Sequence, residues 1–157
     1  MSTRSFVSVV AKGCLAAGFV FAAFTAIAAE KAAVAGFGLS SPAPESARVY
    51  LLSPVDGEKV PTTFKVSFGL SGMGVAPAGV AREHTGHHHL LINLDSLPPL
   101  DKPLPASENI VHFGGGQTET WVTLEPGEHS LQLLLGNHLH VPHNPPVLSQ
   151  KIHITVE

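Results

Sequence analysis

Cysteine is nearly missing from this chain of 157 residues: the single copy, Cys14, lies in an uncharged run close to the N-terminus. That run, GCLAAGFVFAAFTAIA, follows Arg4 and Lys12 and closes on Ala26-Ile27-Ala28, small residues at the spacing of a signal-peptidase site. It is short for a bilayer-spanning helix and reads as a secretory signal peptide over residues 1–29. Cys14 sits inside the apolar core behind Lys12, a poor setting for lipid attachment. Cleavage near Ala28 or Ala29 predicts a periplasmic or secreted protein with no membrane span. The mature chain is then expected to have no disulfide, no thiolate metal ligand and no cysteine nucleophile. A blue-copper centre, which needs a cysteine sulfur, is excluded.

Positive charge is scarce as well. Removing the presequence takes Arg4 and Lys12 and no anion, leaving seven Lys and Arg against twelve Asp and Glu, a charge of −5 with neutral histidines. Nucleic acid is not an expected partner, because phosphate binding needs a basic face. A sustained 3.6-residue period is also lacking. All 13 prolines lie beyond residue 41, and short apolar runs alternate with turn signals from Arg48 onward. Residues 30–46, rich in Ala, Gly, Ser and Pro, read as a flexible tail. Residues 47–157 read as one all-β domain, an immunoglobulin-like antiparallel sandwich of about seven strands. The strands are RVYLLSP (48–54), TFKVSFGL (63–70), HHHLLINL (87–94), NIVHF (109–113), TETWVTL (118–124), HSLQLLL (129–135) and a last one within VLSQKIHITVE (147–157). The proline-rich DSLPPLDKPLPASE forms a long connection.

Histidine is what the chain has in quantity: ten copies, all beyond the presequence. GHHHLLINL and GEHSLQLLLG share an apolar residue at every second position, which sets the alternation. His88 and His129 turn toward the core, and His87 and His89 toward the other face. If the strands alternate end to end, His84, His87, His88, His89, His112, His138, His140 and His143 all reach one pole. The third and sixth strands of such sandwiches pair, which sets His87 and His89 near the loop carrying His140 and His143. Loops meeting at one end of a rigid sandwich commonly form a binding site.

Neutral imidazole is the commonest protein metal ligand, and without cysteine an all-imidazole or imidazole-plus-carboxylate set suits copper(II) or zinc. His87 and His89, two apart on a strand, have Cβ atoms about 6–7 Å apart, close enough to share one ion. His140 and His143 lie in a loop stiffened by Pro142, Pro145 and Pro146. The ligand candidates are therefore His87, His89, His112, His140 and His143. His84, His88, His138, Glu119 and Glu83 are additional candidates, the two carboxylates as ligands or as groups orienting an imidazole. His88 also suits a core-edge role, and His129 and His153 read as ordinary structural histidines. Gly114-Gly115-Gly116 offers either an anion-binding nest of amides or a tight turn needing positive φ. It lacks the Lys-Ser/Thr and helix of a phosphate loop. No GxSxG supports serine-nucleophile catalysis.

The segments GHHHLLIN, HFGGGQTE and LQLLLGN…HVPHNPPV resemble domain-of-unknown-function family 4399, a set of exported bacterial proteins, over roughly residues 48–157. The resemblance implies a secreted β-rich domain and brings no activity with it. The family positions it marks are His87, His88, His89, His112, Gly114, Gly115, Gly116, Gln117, Glu119, His140 and His143; His84 and His138 fall outside. SPVDGEKVPTTFKVSF is also similar to the opening strands of periplasmic copper-resistance proteins of the CopC type. With Ala or Glu at the expected mature N-terminus, a copper site built on an N-terminal histidine amine is excluded.

We therefore expect an exported module that binds copper(II) or zinc for storage, delivery or buffering, rather than an enzyme. The alternative is an interaction module that takes a peptide, a glycan or another periplasmic protein at the same pole. A third reading is a metalloenzyme with Glu119 or Glu83 as general base.

Overall fold

A computed structural model of the protein describes residues 38–157. The expected signal peptide lies outside the described residues. Among the described residues there is no helix, so none is long and apolar enough to cross a membrane. Seven strands lie where the alternation placed them. They are β1 (Arg48–Ser53), β3 (Thr63–Ser71), β5 (Thr85–Ile92), β6 (Ile110–His112), β7 (Glu119–Thr123), β8 (Gly127–Gly136) and β9 (Ile152–Val156). Two-residue strands β2 (Lys59–Val60) and β4 (Gly74–Val75) add to them.

The strands form a β-sandwich. One sheet has the order β1-β3-β7, antiparallel throughout. The other runs β2-β9-β8-β5-β4, with β6 also on β5. This second sheet is mixed, because the short strands β2 and β4 pair parallel with β9 and β5. Alternation in TFKVSFGL is the cause of the first sheet's inner face: Phe64, Val66 and Phe68 are buried, and Lys65 between them is exposed. They meet Leu90, Ile92, Leu131, Leu133, Leu135, Ile154 and Val156 from the second sheet. Full burial of each such side chain contributes roughly 1.5–3 kcal/mol.

A second apolar cluster covers the opposite face of β5 and β8. Leu91, Ile110 and Leu134 pack there with Leu104, and Leu94, Leu100 and Leu148 flank them. The proline-rich connection supplies Leu100 and Leu104, so it lies over the sheet rather than looping free. That cover buries the outer face of β5 at Leu91, and with the inner core it leaves no exposed position in the strand after Thr85 once β6 and the loop after β8 lie over His87 and His89. A strand covered on both faces reads as a continuous run rather than an alternating one.

Two boundaries matter for the histidines. β5 starts at Thr85, not His87, so the His87-His88-His89 triplet stands inside the strand. Pairing of β5 with β8, the pair expected from the sandwich, sets His87 opposite Gly136, the last residue of β8. The chain leaving β8 must therefore pass beside His87. Residues 39–43, within the stretch expected to be a tail, are hydrogen-bonded to this departing loop, through Ser41, Ala43 and Asn144 among others.

Candidate metal centre

Four imidazoles meet on the outer face of β5. Strand alternation turns His87 and His89 to that face and His88 to the other. β6 pairs antiparallel with β5 so that His112 lies directly opposite His89. Their rings stack at 29° with centroids 5.2 Å apart. The loop leaving β8 turns back and brings His140 over His87, with His87 Nε2 3.1 Å from His140 Nδ1. Ring centroids separate His112 and His140 by 4.5 Å, and His87 and His112 by 4.9 Å. One nitrogen from each of His87, His89, His112 and His140 lies within 4.8 Å of all the others.

Two glycines make the space for these rings, and a third, Gly86, makes room for His143 beside them. A Cβ on Gly136 would stand 2.6 Å from His89 Cε1, and one on Gly114 would stand 2.4 Å from His112 Cε1. On Gly86 it would come 2.9 Å from His143 Cε1. The Gly114–Gly116 segment is a turn, the second of its two sequence readings. Gly116 has φ +81°, its N–H donates to Phe113 O, and Gly115 N–H donates to Gln117 Oε1. Its first glycine also yields room to a histidine ring.

The electrostatics favour neutral rings. His87 and His89 are 0% and 1% exposed. Burial, reinforced by charge on neighbouring imidazoles, lowers His87 to about 4 and His89 to about 3. His112 is lowered for the same two reasons, burial first and His140 second. Near neutral pH the buried rings therefore keep their lone pairs. His87 Nδ1 and both nitrogens of His89 have no hydrogen-bond partner within the protein. Each such buried polar atom costs about 1–3 kcal/mol. A metal ion held by one nitrogen of each ring would offset part of that cost.

The residues fit a borderline metal ion. Zinc held tetrahedrally at 2.0–2.1 Å places its nitrogens about 3.3 Å apart. The candidate nitrogens lie within 4.8 Å of one another, so the widest pair would have to draw in by up to about 1.5 Å to match it. The His87–His140 contact shares one proton between two nitrogens, so ligation by both requires that proton to move to another ring nitrogen. An all-nitrogen set does not suit calcium or magnesium, which take oxygen.

The remaining candidates are placed elsewhere. His143 is 2% exposed and stands beside the cluster without joining it. Its Nε2 lies 3.2 Å from the Thr85 carbonyl oxygen and its Nδ1 3.4 Å from that of Leu135. Burial lowers its pKa, and those two carbonyls oppose the shift. His88 packs on the inner face against Phe68, with ring centroids 5.2 Å apart, as its alternation required. His84 is exposed and His138 half-buried; each offers its backbone carbonyl, to Gly74 N–H and Gly79 N–H respectively. Glu83 is exposed, and Glu119, on the other sheet, accepts from Lys65 Nζ at 2.7 Å. Among the described residues no carboxylate joins the four rings. The general-base role considered for Glu83 and Glu119 therefore finds no support. His129 and His153 lie at the far end of the second sheet, His129 with its Nδ1 2.9 Å from Asn93 Nδ2.

Sequence reasoning missed Gly136 and Asn137 as parts of the site. Their only trace in the sequence is the Gly-Asn that ends the apolar run LQLLL; the ring that Gly136 admits depends on strand register.

The family model described as Domain of unknown function (DUF4399) matches residues 66–157, the stretch that carries all four rings. No curated protein matches the chain.

Proposed function

The chain belongs to the family described as Domain of unknown function (DUF4399), and we propose that it binds one transition-metal ion, copper(II) or zinc, through His87, His89, His112 and His140. The observation that carries this reading is four imidazoles within 4.8 Å of one another, two of them buried with unpartnered nitrogens. Burying polar atoms without partners is costly and is retained where a ligand completes them. Imidazole is a borderline donor that suits copper, zinc and nickel; copper(II) stands highest in affinity among the common divalent ions, and zinc takes four ligands tetrahedrally. The apolar run closing on Ala26-Ile27-Ala28 supports an exported module that stores, delivers or buffers the ion.

Metal titration of the purified protein, followed by calorimetry and by competition with a chelator, tests the reading. One ion per chain with micromolar or tighter affinity at pH 7.5 is expected. Affinity weaker than millimolar for both ions, or stoichiometric binding unchanged in a His87→Ala/His89→Ala variant, overturns it.

A further inference from the structure

The four rings are not held alike. His87, His89 and His112 stand on paired strands, whereas His140 is alone on a loop and has φ +64°. A non-glycine residue in that region stays there only when its surroundings hold it. Asn137 does most of the holding. It is 1% exposed. Its side-chain oxygen accepts from Leu139 N–H at 2.9 Å and Val141 N–H at 3.1 Å, bracketing His140. Its backbone carbonyl accepts from His140 N–H at 2.9 Å, and its own N–H donates to Val141 O at 2.8 Å. Leu104 N–H, from the proline-rich connection, donates to His140 O at 3.0 Å.

The other half of the Asn137 side chain points to a segment far away in sequence. Its Nδ2 donates to Leu39 O at 2.8 Å and to Ser41 Oγ at 3.0 Å. The same segment then pairs with the loop beyond His140: Asn144 N–H donates to Ser41 O at 3.0 Å, and Ala43 N–H to Asn144 O at 3.3 Å. All four hydrogen-bonding capacities of the amide are used. The strap Leu39–Ala43 also precedes the residues matched by the family.

We propose that Asn137, braced by the strap Leu39–Ala43, is the positioning residue for His140, so that the cluster is three sheet-borne imidazoles plus a fourth set in place by the N-terminal strap. The inference rests on the metal-binding reading for its consequence and on hydrogen-bond geometry for its cause. With the brace in place His140 meets the other three rings. With it released the ion keeps three nitrogen ligands and gains an open position.

Two readouts on the full chain test it. In metal-free protein, long-range imidazole proton–nitrogen spectra report the His87–His140 hydrogen bond. Asn137→Ala is expected to remove that signature and to leave the signals of His89 largely in place. In zinc and copper(II) titrations, Asn137→Ala is expected to weaken binding about 10–100-fold, the range found when groups that orient metal ligands are removed. The same change made on a His140→Ala background is expected to have little further effect. Ser41→Ala removes one of the two acceptors of the Asn137 amide and leaves the core intact; it covers the case of an Asn137→Ala protein that does not fold, with a smaller drop that also vanishes on the His140→Ala background. Unchanged imidazole spectra in a folded variant overturn the inference whether or not metal binds. A drop in affinity that persists in full without His140 overturns it as well. Absence of metal binding by the unaltered protein, together with the expected spectral change, overturns the proposed function alone.

Discussion

The two faces of β5 carry the same residue type to opposite ends. His88 on the inner face packs against Phe68, which in turn packs against Phe113, and among the described residues no second imidazole stacks on it. His87 and His89 on the outer face meet two further imidazoles from β6 and from the loop after β8. All three are buried, and all three have ring nitrogens without partners. Burial alone therefore does not make a site. What distinguishes the outer face is convergence: four donors aimed at one another, in space that Gly114 and Gly136 leave open.

The contrast is sharpest when one face is altered at a time. Replacing both His87 and His89 by alanine is expected to abolish stoichiometric metal binding, a loss of at least about 100-fold, read by chelator competition. Gly136→Ala keeps every imidazole but drives a methyl against His89. It is expected to weaken binding about tenfold and to lower thermal stability, because the ring must leave its slot. On the inner face, His88→Leu replaces an isolated imidazole with an apolar side chain of similar volume. It is expected to leave metal affinity unchanged and to raise stability by about 1 kcal/mol in a denaturant titration, since two unpartnered nitrogens are removed. Loss of metal binding in His88→Leu would erase the distinction between the faces.

Acid provides a smaller, graded test. His87 and His89, held near 4 and 3, stay unprotonated in the folded metal-free protein at pH values where an unfolded histidine, near 6.5, takes up a proton. Between about pH 6.5 and 4 the unfolded state binds more protons, so stability is complete above 6.5 and falls as pH drops through that window. The melting temperature of metal-free protein at pH 7.5, 5.5 and 4.5 should decrease in that order, and His87→Ala should flatten part of the dependence. The smallest effect is expected from His84→Ala, an exposed residue outside the cluster. It should leave metal affinity unaltered and stability within about 0.5 kcal/mol.

Much of the architecture was legible because strands announce themselves by alternation. Phe64, Val66 and Phe68 against Lys65 and Ser67 identify β3 without further information. The separation of His88 from His87 and His89 follows from the same period of two. Less legible was β5, whose outer face is buried by the proline-rich connection at Leu91 and by β6 and the loop after β8 at His87 and His89. The additional strands β2 and β4 are two residues long, too short to leave a periodic pattern. At the site, four of the five leading histidine candidates converge, and His143 is held instead between the carbonyls of Thr85 and Leu135. Its distance of three residues from His140 carries no information about that difference, because a loop has no fixed period.

Local chemistry, then, was enough to determine an all-β domain, the face each strand histidine takes, and the absence of cysteine ligands from that domain. Those properties depend on residue type and on the pleat of a strand, both written in consecutive residues. Tertiary structure decided which imidazoles meet. The pairing of His112 with His89 depends on strand register, the admission of the rings depends on glycines set opposite them, and the direction of His140 depends on Asn137 and on a segment nearly a hundred residues earlier. Such contacts join residues that sequence keeps far apart, and only the closed sandwich brings them within reach of one ion.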